Sequence, residues 1–401
     1  MAEIIQPGKA TLDNCVIGGV SFVDGERSNY HVQELRIFED HCKAYFTGQL
    51  VIEAHQNTWE AYVRPGNQVS ITFTAPRSDG IEGNTYTENF KIYSYESKPR
   101  QGDIQNAMVI TISLMGEEYY RDRFSTVMMP FSNIPGTAAA AAIHGLYMSV
   151  NGGLDITSTS LGMIGSTQVP HEVRNQKPIK AIHELLDKSV FAAYPSCAPC
   201  YFRTKPGYII GPLQQLLETQ PVVETFIHEP AQGADLSTTL IGYNRVNHLR
   251  PMSPPNDQKG GGGGGASAGS PQGFFDMAMG QVQKLTGGGG RGNFSVLDTL
   301  HQALSIAKNG PGGFQSAEDA FLAQLSLFTP KFWVSVPLQT GTNVTCGMRI
   351  NVQYPFTNQG MVSKTLYVAR LIHELRFTEG EDRQPVTING TTDMFGVAWG
   401  Q

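Results

Sequence analysis

The sequence predicts a β-rich α+β protein, with small antiparallel sheets of barrel or sandwich type and helical insertions. Three observations carry this. Apolar and polar residues alternate with period two over several short runs, the pattern of half-buried strands. Turn residues separate those runs at short intervals, as in all-antiparallel folds. Charged residues make up only 16% of the chain, against about 25% in an average soluble protein, while glycine accounts for 44 of 401 residues.

The strands begin within 30–115. Trp59, Ala61 and Val63 alternate with Glu60, Tyr62 and Arg64, and Pro65-Gly66 signals a turn. Val69, Ile71 and Phe73 alternate with Ser70, Thr72 and Thr74. Phe90 and Ile92 mark a further strand, and Met108, Ile110, Ile112 and Leu114 another. Thr137 to Val150 reads as a helix stopped by Asn151-Gly152-Gly153. Pro178 opens a second helix, with Ile179, Ile182, Leu185, Leu186 and Val190 on one face. Tyr201 to Gly211 forms a hairpin around Lys205-Pro206-Gly207, and Pro212 starts a helix bearing Leu213, Leu216 and Leu217. Pro254 to Gly273 is a low-complexity linker or loop with six consecutive glycines at 260–265; a second glycine run occupies 287–290. Helices follow over Val296–Leu304 and from Ser316, where Asp319 approximates a capping box. Strands return at Phe332, Val334 and Val336, then at Met348, Ile350, Val352 and Tyr354. Lys364 to Phe377 fits either a helix or a strand buried on both faces, because periodicity alone does not separate them. One internal similarity stands out. AYVRPGNQVSITFTAP (61–76) and VPLQTGTNVTCGMRINVQYP (336–355) each read as a strand, a Gly-Asn (66–67) or Gly-Thr (341–342) turn, and an alternating strand ending at Pro. They read as two unrelated hairpins or as two copies of one small barrel.

The composition excludes collagen, coiled coil and a highly charged disordered chain. A net charge of −6 argues against a polyanion binder, since gripping phosphates requires many Lys/Arg contacts. The N-terminal residues lack the basic and apolar regions of a secretory signal. Five scattered cysteines (15, 42, 197, 200, 346) do not form a disulfide framework, so reduced thiols and a cytosolic setting are expected, and the sequons at Asn293, Asn343 and Asn389 carry little weight. Phe124 to Leu154 has no charged residue, but prolines and glycines interrupt it, so a buried helix is expected rather than a membrane span.

The sequence motifs for chemistry are all incomplete. Cys197-Ala-Pro-Cys200 is a lone CxxC followed by a hairpin. Redox use favours a helix N-terminus, and a structural zinc site needs a second ligand pair. The hexaglycine run lacks the Lys-Ser/Thr of a phosphate loop. Gly265-Ala266-Ser267-Ala268-Gly269 has neither the strand nor the helix of a nucleophile elbow. The His-Glu pairs at 171, 183, 228 and 373 lack the second histidine of a metalloprotease helix. No catalytic residue, cofactor or metal site is therefore expected.

Tyr367-Val-Ala-Arg-Leu-Ile-His-Glu-Leu375 resembles a late strand of the baseplate hub proteins of contractile-tailed bacteriophages. The order of Asn89–Tyr93, Ala107–Leu114, Tyr119-Tyr120, Phe124, Pro130-Phe131, the helix at 178–190 and the hairpin at 201–210 is similar to that family over about 300 residues. The Gly-rich stretch at 254–290 departs from it. The resemblance implies two small β-barrels of tail-tube type with helical insertions. It assigns 10–118 with 222–250 to the first barrel, 119–221 with 325–395 to the second, and 251–324 to a flexible insert. It makes Lys364 to Phe377 a strand, with Tyr367, Ile372, His373, Glu374 and Leu375 as its structural signature. It also implies a homotrimer in the virion tail baseplate, assembled in the host cytoplasm. That trimer would join a threefold tail spike protein to a sixfold tail tube or tube initiator protein, beside other baseplate proteins. DNA would pass as cargo, with no membrane contact. The alternatives are another tail-tube-like protein, such as a tube initiator forming a ring of six single-barrel chains, or a thiol oxidoreductase using Cys197 and Cys200.

Overall fold

The computed structural model describes residues 8–23, 30–54, 57–77, 83–100, 107–149, 168–187, 199–212, 215–216, 220–228, 244–251, 332–356, 360–379 and 385–398. The first strands are β1 (Thr11–Ile17), β2 (Val20–Ser21), β3 (Tyr30–Asp40), β4 (Thr47–Ala54), β5 (Gln68–Ala75), β6 (Asn84–Pro99) and β7 (Met108–Gly116). An inserted region follows: α1 (Glu117–Phe124), β8 (Val127–Pro135), α2 (Gly136–Ile143), β9 (Gln168–Gln176), α3 (Pro178–Asp187), β10 (Pro199–Thr204) and β11 (Gly207–Pro212). The chain returns to strands with β12 (Val222–Ile227), β13 (His248–Pro251) and β14 (Phe332–Pro337). The last elements are α4 (Leu338–Gly341), β15 (Arg349–Phe356), β16 (Gly360–Glu379) and β17 (Pro385–Ala398). This is a β-rich α+β fold dominated by one large, mainly antiparallel sheet; the parallel strand pair is β12 with β15.

The structure changes some of the sequence expectations and resolves others. Trp59 to Val63 is not a strand; Asn57–Ala61 is a one-turn 3-10 helix, and Val63 N donates to Trp59 O at 2.9 Å. Trp59 and Val63 are both buried, and their spacing of four places them on one helical face. The ambiguous segment from Lys364 to Phe377 lies within the β16 strand, and nearly every residue from Leu366 to His373 is buried. The helix expected at Thr137 to Val150 is α2 followed by a π turn at His144–Met148. The glycine runs, the helices expected at 296–304 and after 316, and Cys197 lie outside the described residues, as does the helix after Pro212 apart from 215–216.

The sheet contains the same strand order twice. The first set runs β3-β4-β7-β6-β5-β1, and the second β13-β14-β17-β16-β15-β12. A one-turn helix joins β4 to β5, and α4 joins β14 to β15. Then comes a glycine in the left-handed region: Gly66 at φ +90° and Gly347 at φ +87°. Gly66 N donates to Ile92 O (2.8 Å) and Ile92 N to Asn67 O (2.9 Å). Gly347 N donates to Val368 O (2.9 Å) and Val368 N to Met348 O (2.9 Å). A register shift follows both Ile92 and Val368. The structure therefore contains a duplication, in which Gly66 corresponds to Gly347 and not to the Gly341-Thr342 turn of the sequence comparison, since Leu338–Gly341 is helical; β1 and β12 differ in direction against their neighbours.

The long β16–β17 ribbon ties the sets together. Its outer end pairs with β15 and β14, while its inner end reaches β3 and β1. Each set has its own apolar core. The first is built around Leu35, Leu50, Val69, Phe73, Phe90 and Ile112, and includes Leu375 and Phe377 from β16. The second contains Phe226, Val334, Ile350, Leu366, Val368 and Met394. Residues 222–227 pair with β15 and 248–251 with β14, so these strands hydrogen-bond within the second set; the resemblance had grouped 222–250 with 10–118.

Candidate functional site

The signature residues sit where the two sets meet. Arg370 to Arg376 of β16 pairs with Asp40 to Glu34 of β3 on one side and with β17 on the other. Strand alternation sends Leu371, His373 and Leu375 to one face, and Ile372 and Glu374 to the other. Leu371 enters the second core and Leu375 the first. Ile372 packs with Phe395, Phe38 and Trp333. Glu374 faces Arg36 at 3.4 Å and Arg376 at 2.7 Å. Tyr367 is buried, and its hydroxyl lies 3.3 Å from His41 Nδ1.

His373 is fully buried. Its Nδ1 shares a hydrogen bond of 2.9 Å with Thr392 Oγ1, and its ring meets Tyr86 edge-on at 5.3 Å between centroids. Its Nε2 is 3.9 Å from Glu39 Oε1. Burial pushes the imidazole down to about 3, which favours its neutral form beside Glu39. Glu39 accepts hydrogen bonds from Thr345 Oγ1 and from Cys346 N (2.9 Å). Burial still pushes its carboxyl up to about 7.

The β10–β11 hairpin fastens this seam. The Arg203 guanidinium takes Glu88 of β6 at 2.8 Å and Glu118 of α1 at 3.1 Å, and lies over the Phe46 ring at 4.2 Å. Burial raises the Glu118 carboxyl in spite of the opposing pull of Arg203. Two residues on, Lys205 Nζ donates to Thr342 O (3.1 Å) and Lys205 N to Thr345 Oγ1 (3.0 Å). Phe202 and Ile209 of the hairpin press on Gly347. One hairpin therefore grips the first set through Arg203 and the second through Phe202 and Lys205. The arrangement is a joint in which Glu39, Glu118, Arg203 and His373 are buried. The sequence singles out the β16 residues as a family signature strand and not as a joint. The partners Glu39, Glu88, Glu118, Arg203 and Lys205 carried no local signal, because each pair is separated by long stretches of chain.

Cys200 lies at the start of β10 rather than on a helix, and its thiol donates to Gly211 O at 3.0 Å. Among the described residues, Asp40, His41 and Cys42 bring potential ligand atoms within 4.8 Å of one another, a cluster legible only as three consecutive residues. Asp40 is already engaged by Arg370 (3.1 Å) and by Cys42 N (2.9 Å), and His41 by Tyr367. A metal would have to displace that ion pair, so the cluster reads as part of the joint.

No protein-family model and no curated protein sequence matches this chain. The chain has structural matches among phage tail proteins and type VI secretion components. One is a tail protein from Neisseria meningitidis MC58, with a TM-score of 0.47 at 10% identity, covering 96% of each chain. Another is the 43 kDa tail protein of prophage MuSo2 from Shewanella oneidensis, with a TM-score of 0.46 at 9% identity, covering 96% of this chain and 98% of that one. A third is an E. coli component of the type VI secretion system, described as structurally similar to the T4 bacteriophage tail proteins gp27 and gp5. Its TM-score is 0.45 at 8% identity, covering 96% of this chain and 77% of that one. Likenesses at this level carry no functional argument for this chain.

Proposed function

We propose that this chain is the baseplate hub of a contractile phage tail, a structural adaptor and not an enzyme. The observation that carries the reading is the duplication: one chain contains the same six-strand order twice. Three such chains present six equivalent units, which is what a ring needs in order to match a threefold spike to a sixfold tube. The resemblance of Tyr367 to Leu375 to the hub family points the same way.

Each unit is read as a small barrel. In support, the pairings β16-β3-β4-β7-β6-β5-β1-β17 return to their start through β16–β17. The second set returns through a bridge between Ile227 and Arg245. Closed pairing removes the exposed strand edges that otherwise invite aggregation. The first unit is then 10–116 closed by the inner ends of β16 and β17. The second is 222–251 with 332–398, and the insertion 117–221 supplies the joint. The trimer encloses a channel for DNA, which passes as cargo. Three copies carry three times −6, or −18, which disfavours binding to phosphates and so favours sliding. Its neighbours are the tail spike, the tail tube or its initiator, and other baseplate proteins, in the virion tail.

The test is the mass of the purified chain alone and with its spike partner. The expected result is three copies, three times 43.7 kDa for this chain. A monomer that never enters a three-copy complex overturns the reading, and a ring of six copies indicates a tube initiator instead.

A further inference from the structure

The duplication allows one face to be compared with itself inside a single chain. Ile92 and Val368 occupy equivalent places, because each exchanges backbone hydrogen bonds with the residues at the left-handed glycine. Gly66 therefore corresponds to Gly347, Lys91 to Tyr367 and Tyr93 to Ala369. In the second set this face is covered. A Cβ on Gly347 would lie 2.8 Å from the Phe202 ring and 3.2 Å from Ile209. Tyr367 and Ala369 are buried in the same cluster. In the first set the face is open among the described residues. A Cβ on Gly66 would meet nothing within 4 Å. Tyr93 is 48% exposed and Phe124, on the neighbouring α1, is 79% exposed.

The result is a groove of about 680 Å³ lined by Pro65, Gly66, Lys91, Tyr93, Tyr120 and Phe124. Its charge is opposite to that of the covered site's surroundings. There, the covering hairpin brings the cation of Lys205 toward the carboxylate of Glu39, which accepts from Cys346 N beside Gly347. Here the groove itself supplies cations. Lys91 Nζ lies 5.5 Å from the Tyr120 ring centre, and Arg123 is exposed at the rim. Arg121 is answered within α1 by Glu117 at 3.2 Å.

We propose that this groove receives an acidic β-hairpin tip of a partner protein, with an aromatic side chain over Gly66 and carboxylates toward Lys91 and Arg123. The internal equivalence supplies the shape of the occupant, since a hairpin bearing Phe202 and Ile209 fills the matching site. Charge complementarity supplies its sign and disfavours a second copy of the basic hairpin. The inference rests on the duplication and not on the tail reading.

The probe is a backbone-cyclised peptide of residues 199–212 carrying Arg203→Glu and Lys205→Glu, with the unsubstituted cyclic peptide as the basic control. Binding to the full chain is followed by fluorescence anisotropy. The acidic peptide is expected to bind saturably, about tenfold or more tighter than the control. Phe124→Ala and Lys91→Glu in the full chain are each expected to weaken it about tenfold, with an unchanged unfolding midpoint. Equal binding of the two peptides overturns the proposal. So does indifference to both substitutions, or no saturation up to about 1 mM. If Phe124→Glu dissolves an oligomer of the chain, the groove belongs to an interface between copies, and the partner assignment is wrong.

Discussion

Replacing Arg203 by Met tests the joint directly. Methionine keeps an apolar side chain but removes the guanidinium that lies over Phe46 and is shared by Glu88 and Glu118. The side chains of Arg203 and Glu118 are 6% and 2% exposed, so both carboxylates lose their partner in a poorly solvated place. Removing one member of a buried ion pair costs about 3–5 kcal/mol, mostly because the other charge is stranded. The wild-type chain and the variant are compared by urea denaturation followed by circular dichroism, with a loss of about 4 kcal/mol expected at neutral pH. In a Glu88→Gln, Glu118→Gln background Arg203 is itself the stranded charge, so the same substitution is expected to cost nothing or to stabilise. The pH dependence has a definite sign. Without Arg203 the Glu118 carboxyl, already raised by burial, rises further. A raised carboxyl favours the folded state at low pH and loses that contribution as pH rises, so the deficit grows as pH rises above the ordinary carboxylate range. A loss under about 1 kcal/mol, or an equal loss in the double-Gln background, refutes the account of the joint.

Two further outcomes follow from the same geometry. Glu39, pushed up to about 7 by burial, favours folding in its protonated form; this contribution is complete below its ordinary value and lost as pH rises through about 7. The stability of the wild-type chain minus that of Glu39→Gln should therefore fall between about pH 4.5 and 7, and a flat difference in chemical denaturation contradicts it. Gly66→Ala and Gly347→Ala should differ although both glycines are left-handed. The first pays only the backbone cost of about 1–2 kcal/mol. The second adds a Cβ at 2.8 Å from Phe202 and should lose about 1–3 kcal/mol more, with equal losses counting against the covered-versus-open contrast.

Much of the sheet was legible because strand alternation is local. Val69 to Phe73, Met108 to Leu114 and Ile350 to Tyr354 declare their inward faces by period alone. The duplication was visible only in outline: each stretch ends in an alternating strand, but the left-handed glycine of the second is Gly347, while Gly341 is helical. Trp59 to Val63 misled because two apolar residues four apart, with a third between them, satisfy both periods over so short a run. The pairing of β12 and β13 with the second set was not legible, because alternation says which face is buried but not which strand lies alongside. The joint was hidden for the same reason. Arg203 looks like any hairpin-tip cation until folding brings it to Glu88 and Glu118, 115 and 85 residues away in the chain.

The central claim is that one chain supplies two equivalent units of a ring. Electron-microscope averages of the assembled particle viewed down its axis test it most directly. The expected image is a hollow ring with six similar lobes whose rotational power is strong at sixfold, together with a particle mass corresponding to three copies. A three-lobed particle without a central opening, or a six-lobed ring containing six copies, would contradict it.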